Sequence, residues 1–197
     1  MGIGPDRRLV ELARELFREV SEQPGVEGAA LVGALARNVY AAPRATSDVD
    51  IGLLLRDADA YKAVVAGLQK RGYRVQGEYG DEEGSFPSLA QFDGPVHLDL
   101  LIAHTEFEKQ ALKKRRVFRD GGIELAAVSP EDLVVYKLLR FSQQDKADIE
   151  AVLQAVIPKG EMIDWELVQR YADEFKMGHR VEWARGVARR HGHEQKL

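Results

Sequence analysis

The chain has no cysteine among its 197 residues, which excludes disulfides, thiolate zinc sites and a cysteine nucleophile. It also lacks an excess of positive charge. With 28 basic and 32 acidic side chains the net charge is -4, so there is no global attraction for nucleic acid, and only a local basic patch could supply one. No run approaches the roughly eighteen apolar residues of a membrane-spanning helix. The N-terminal MGIGPDRRLVEL holds no apolar signal core. A cytoplasmic protein without membrane attachment is therefore expected. Internal repeats and low-complexity segments are absent too. What is present is 45% hydrophobic and 30% charged residues, an ordinary globular composition at a length ample for a buried core.

The organising stretch is LVGALARNVYAAPRATSDVDIGLLL, from Leu31 to Leu55. Ala29 to Val32 is a short apolar strand closed by Gly33, Leu35 to Tyr40 starts a helix, and Ala42-Pro43-Arg44 breaks it. Asp48 and Asp50 then open a strand through Leu55. Side chains alternate across a strand, so both carboxylates face the same way. Like charges side by side repel and are costly to desolvate, so such a pair needs solvent, hydrogen-bond donors or a divalent cation.

Around this stretch, residues 6–22 show apolar positions at helical spacing. Asp57 caps a helix through Gln69, and Tyr73 to Tyr79 reads as a strand. Leu89–Phe92 and Val96–Ala103 flank a turn at Asp93-Gly94, beyond the acidic loop Asp81-Glu82-Glu83. Thr105 and Glu108 have capping-box spacing. Arg116–Asp120 and Ile123–Val128 form a second hairpin around Gly121-Gly122. Ser129-Pro130-Glu131-Asp132 is a specific helix start, followed by helices over 131–141, 145–157, 164–176 and 179–191. The order predicts an α+β core over 1–128 with a C-terminal helical layer over 129–197.

Two features single out the aspartate pair. A third carboxylate, Asp99, lies within the apolar strand VHLDLLIA, where a lone buried charge is expensive. Gly33 sits at a strand-to-helix turn, where backbone N–H groups approach a phosphate. Three carboxylates on adjacent strands can hold two Mg²⁺ ions for in-line phosphoryl displacement.

These residues resemble the DNA polymerase β-like nucleotidyltransferases. That family has an apolar strand, a Gly-Gly or Gly-Ser turn, an Asp-x-Asp/Glu strand and a later third acid; Gly33, Asp48, Asp50 and Asp99 fall on it. Arg44-x-Thr46-Ser47-Asp48-Val49-Asp50 is similar to the form found in the bacterial branch of abortive-infection type toxins. Pro130-Glu131-Asp132-Leu133 with Lys137-Leu138, and Arg140 with Asp145-Lys146-Ala147-Asp148-Ile149, resemble the helical motifs of that branch. The resemblance implies a nucleotidyltransferase-like mixed β-sheet flanked by helices. It implies metal-dependent transfer of a nucleoside monophosphate from an NTP such as ATP to an acceptor hydroxyl on RNA, a small molecule or a protein, with release of pyrophosphate. Asp48, Asp50 and Asp99 would be the catalytic metal ligands, for Mg²⁺ or Mn²⁺. Gly33, Ala34, Ser47 and Lys137 would lie along the nucleotide. A cognate antitoxin or regulatory protein is an expected partner.

The departure is Ala34, which stands where relatives place a second glycine or a serine. It favours an alternative: an inactive nucleotidyltransferase-like domain that binds nucleotide or a partner protein. Haloacid-dehalogenase phosphatases and sugar-nucleotide glycosyltransferases place DxD after an apolar strand, whereas here IGLLL follows the pair. Elsewhere, Lys109, Lys113, Lys114, Arg115, Arg116 and Arg119 form either a solvated face or a phosphate track. His97 shares the Asp99 face by period-two counting, His191 and His193 lack a metal-ligand context, and Trp165 and Trp183 read as core.

Overall fold

The computed structural model describes residues 7–80, 86–120 and 123–192. The Asp81-Glu82-Glu83 loop, the Gly121-Gly122 turn and His193 lie outside the described residues. The elements are α1 (Arg7–Ser21), β1 (Val26–Leu31), α2 (Gly33–Tyr40), β2 (Asp48–Leu55), α3 (Ala58–Lys70), β3 (Arg74–Tyr79), β4 (Leu89–Asp93), β5 (His97–Ile102) and α4 (Glu106–Lys113). They continue with β6 (Arg116–Asp120), β7 (Ile123–Ala127), α5 (Pro130–Arg140), α6 (Gln143–Val156), α7 (Trp165–Glu174) and α8 (Gly178–Arg190). This is the expected α+β architecture: a mixed sheet flanked by helices.

Local chemistry sets most helix starts. Asp57 accepts from the Ala60 amide at 2.9 Å, Ser129 from Asp132 at 3.2 Å, and Asp164 from Leu167 at 2.9 Å. Thr105 and Glu108 close the expected capping box. Two starts differ from expectation. α2 begins at Gly33 rather than Leu35, because Gly33 itself makes the turn out of β1 with φ +57. α6 begins at Gln143, because Ser142 and Asp145 form a second capping box. Both tryptophans pack against the core only partly buried.

Among the described residues the strand order is β3-β4-β5-β2-β1-β7-β6. β2 pairs parallel with β5 and β1 parallel with β7; the other neighbours are antiparallel. Register carries one row straight across four strands: Asp50 opposite Asp99, Asp99 opposite Gln91, and Gln91 opposite Gly77. These four positions share one sheet face. On the other face Tyr61 of α3 donates to Glu78, the neighbour of Gly77, and α1 packs beside α3 through Arg71 and Glu19. On the row's own face α4 lies over Gly52, where an added Cβ would fall 3.0 Å from Leu112 Cδ2. α5 to α8 continue that layer, with the Phe107 ring 4.8 Å from both Tyr136 and Tyr171. Among the described residues α4 packs on β1 and β2. In β4 and β5, buried Ala90, Phe92, Leu98, Leu100 and Ile102 alternate with half-buried Leu89, Gln91, His97, Asp99 and Leu101. Among the described residues no helix is long and apolar enough to cross a membrane.

Candidate active site

The parallel pairing of β2 with β5 puts Asp50 beside Asp99 and Asp48 beside His97, with neighbouring backbones about 4.8 Å apart. At the end of β1, Gly33 turns against the same carboxylate: a Cβ there would fall 2.6 Å from Asp50 Cγ and inside the radius of Oδ2. The next amide, Ala34 N–H, donates to the Asp50 carboxylate. Burial raises the Asp50 pKa from its ordinary value, and the charges of Asp99 and Asp48 add to the rise; the Ala34 hydrogen bond and the charge of Lys137 oppose it. Net, the ionised form of Asp50 is under-compensated.

The flanking acids are held from outside. Asp48 Oδ1 accepts from Ser47 Oγ at 2.8 Å. Asp99 Oδ1 accepts from Gln91 Nε2 at 3.1 Å and lies 3.0 Å from His97 Nε2. Both contacts use Oδ1, so Oδ2 of Asp99 has no hydrogen-bond partner among the described residues. The donor set is oxygen-only and anionic, a chemistry that suits a hard divalent cation. The side chains do not converge on a common point: among the described residues no three carboxylate or imidazole groups stand in coordinating geometry.

On the β1 side of Asp50 the charge reverses. Lys137 of α5 is 11% exposed and pairs with Asp145 at 3.2 Å and Asp148 at 2.9 Å. Asp148, 1% exposed, takes the Arg44 guanidinium through Nε at 2.9 Å and Nη2 at 3.0 Å, and Gln144 at 3.1 Å. Arg37 Nε stands 3.6 Å away. Burial pushes the Asp148 pKa up, but the Arg44 and Lys137 hydrogen bonds and charges outweigh it and hold it at about 2. Asn38 clasps the Arg44 backbone in both directions, at 2.8 and 3.0 Å, and Arg37 donates to Ala42 O. The loop that delivers Asp48 is therefore pinned along its length.

Of the seven residues expected at the site, Gly33 and Ala34 touch Asp50, Asp99 stands opposite Asp50 in register, and Ser47 bonds Asp48 two positions along β2. Lys137 stands behind them, bonded to carboxylates while its charge is felt at Asp50. Sequence reasoning did not single out Gln91 or Arg37; Gln91 carries no local signal and emerges only from strand register. The basic run divides: Lys114 pairs with Asp132 at 3.3 Å, Arg116 with Glu161 at 2.5 Å, and Arg115 donates to Leu112 O at 3.0 Å.

A family model described as "Nucleotidyltransferase of unknown function (DUF6036)" matches residues 7–185. The chain belongs to this family. The family's description is in keeping with the nucleotidyltransferase resemblance of the motifs. The chain's fold is similar to the crystal structure of ANT(2'')-Ia in complex with adenylyl-2''-tobramycin, with TM-score 0.51 and 14% identity over 91% of this chain and 98% of that one. It is similar as well to an antigenic nucleotidyltransferase-like protein from Paracoccidioides brasiliensis, with TM-score 0.51 and 15% identity over 91% and 92% of the two chains. No curated protein matches the sequence.

The glycine contact makes a sharp prediction for this DUF6036 chain. Gly33→Ala places a methyl group into the Asp50 carboxylate at a positive φ, so it should lower stability by about 1–3 kcal/mol. Chemical denaturation checks it; an unchanged midpoint would show that Asp50 does not rest against Gly33.

Proposed function

We propose that this protein transfers a nucleoside monophosphate from an NTP to an acceptor hydroxyl, with divalent metal ions as cofactors. The observation that carries the reading is the register that aligns Asp50 with Asp99, two residues from Asp48 and against the Gly33 turn. Asp48, Asp50 and Asp99 are the metal ligands in this reading. When bound, Mg²⁺ (or Mn²⁺) would supply Lewis-acid stabilisation of the attacking and leaving oxygens. The Gly33 turn at the start of α2 and the cationic group of Lys137 and Arg44 receive the triphosphate on the β1 side. The acceptor oxygen attacks the α-phosphorus, the bond to the bridging oxygen breaks, and pyrophosphate leaves with the electron pair. The hydroxyl proton passes to the open oxygen of Asp99. Residues 1–128 supply the acids and the turn, and 129–197 supply Lys137 and Asp148.

Ala34 favours a second reading, nucleotide or partner binding without turnover. Its side chain offers no hydroxyl, and its amide is already given to Asp50.

Calorimetric titration of ATP and the other NTPs at millimolar Mg²⁺ tests both. Binding that depends on Mg²⁺ and is lost in Asp48→Asn supports the site, and pyrophosphate release separates turnover from binding. No binding of any NTP would sink the metal–nucleotide site.

A further inference from the structure

Strands β5, β4 and β3 continue the sheet beyond Asp50, on the side away from the cations. The described residues here form two parallel rows. The polar row runs Asp50, Asp99, Gln91, Gly77; the apolar row beside it runs Gly52, Leu101, Leu89, Tyr79. Gly77 has no side chain, and the Tyr79 ring folds over the space: a Cβ at Gly77 would fall 2.5 Å from the Tyr79 hydroxyl and 2.7 Å from the ring. Tyr79 nonetheless remains 53% exposed, among the largest exposed apolar surfaces of the described chain. The ring thus stands about two strand spacings, roughly 10 Å, from Asp99, with two half-buried leucines bedding the interval. The Gln91 amide lies between them, bonded to Asp99 at 3.1 Å.

We propose that this face is the acceptor subsite and that it takes a small uncharged molecule carrying a ring and a hydroxyl, a nucleoside or a cyclic sugar. The ring stacks on Tyr79, Gln91 reads a polar edge, and the hydroxyl reaches Asp99. Stacking on an exposed aromatic face is tolerant of ring chemistry, whereas the amide and carboxylate demand hydrogen-bonding groups beside it. Charge argues against a nucleic-acid strand. Among the described residues the face presents a single arginine or lysine, Arg74, at its far edge opposite Asp93. Arg37, Arg44 and Lys137, which would draw phosphates, belong to the other side of Asp50. The inference rests on the nucleotidyl-transfer reading, because only that reaction gives the face an incoming hydroxyl.

A local alternative is that Tyr79 simply shields Gly77, as aromatic rings do for strand glycines. The test separates the two. With a non-hydrolysable ATP analogue and Mg²⁺ saturating, wild-type protein is titrated by NMR with adenosine, methyl glucoside and a ten-residue oligoadenylate. Adenosine or the glucoside is expected to bind, and to shift amides of β3 to β5. Tyr79→Ala should weaken that binding about tenfold, the worth of one ring stack, and Gln91→Ala should also weaken it. Affinity for the ATP analogue should change less than about twofold in Tyr79→Ala, since that residue lies away from the triphosphate side and touches none of the acids. Equal binding of the small molecules by wild type and Tyr79→Ala overturns the proposal. So does failure of both to bind, or salt-sensitive binding of the oligoadenylate alone. If the ATP analogue itself does not bind the wild type, the transfer reading fails first and the subsite falls with it.

Discussion

Asp50→Asn is expected to reduce nucleotidyl transfer about a thousandfold or more while raising the melting temperature of the metal-free protein by about 2–4 °C. The two effects share a cause. Asp50 sits against Gly33, accepts from Ala34 and adjoins Asp99 in register, so its negative charge is buried beside another. A carboxyl whose folded pKa is raised contributes stability while protonated, below its ordinary value, and loses it as pH rises through the folded value. At neutral pH the ionised group is a cost that the amide does not carry. Adding Mg²⁺ should reverse the order, stabilising the wild type and leaving Asp50→Asn unmoved. Thermal melts of both proteins with and without Mg²⁺ decide it. A variant that melts lower than the metal-free wild type would mean that Asp50 is adequately compensated within the protein.

Asp148→Asn should have the largest effect on stability, a loss of about 3–5 kcal/mol. The carboxylate is 1% exposed and holds Arg44 through two hydrogen bonds and Lys137 through one, with Arg37 close by. An amide in its place leaves those cations partly buried and short of an anion. The pH dependence follows from the same contacts. With its folded pKa held at about 2, below the ordinary 3.8, Asp148 contributes stability that is fully present above the ordinary value and is lost as pH falls through about 2. Urea midpoints between pH 2 and 5 should therefore fall more steeply for the wild type than for Asp148→Asn. Parallel curves would show that the Arg44 and Lys137 pairs contribute little.

Much of this was legible in the sequence because it is local. Strand alternation put Asp48 and Asp50 on one face, and the residue types at positions 57, 105, 129 and 164 located their helix starts. His97 was placed beside Asp99 by the same counting, although the 3.0 Å contact between them was not foreseen. Asp99 was linked to the pair by the cost of a lone charge in an apolar strand, and the resemblance to polymerase β-like enzymes gave it a role there. What escaped depends on which distant strands and helices meet. The row from Asp99 through Gln91 to Gly77 needs two antiparallel registers, one shifted by an irregularity between Val75 and Gly77. Asp148 entered the sequence reading only as part of a helical motif, without a partner. It is an anion for Arg44, with |i−j| of 104, and no local pattern encodes that pairing.

That separation also orders events during synthesis. At about 5–20 residues per second, Asp148 emerges roughly 5–20 s after Arg44. During that interval the segment leading to Asp48 has its Asn38 clasp but not its anionic anchor, and Lys137 also lacks Asp148. A nascent chain could pair β1 with β2 early, yet its cationic group would be completed only with α6. The cations beside the acids would then gain their anion only after α6, later than the strands that carry Asp48, Asp50 and Asp99.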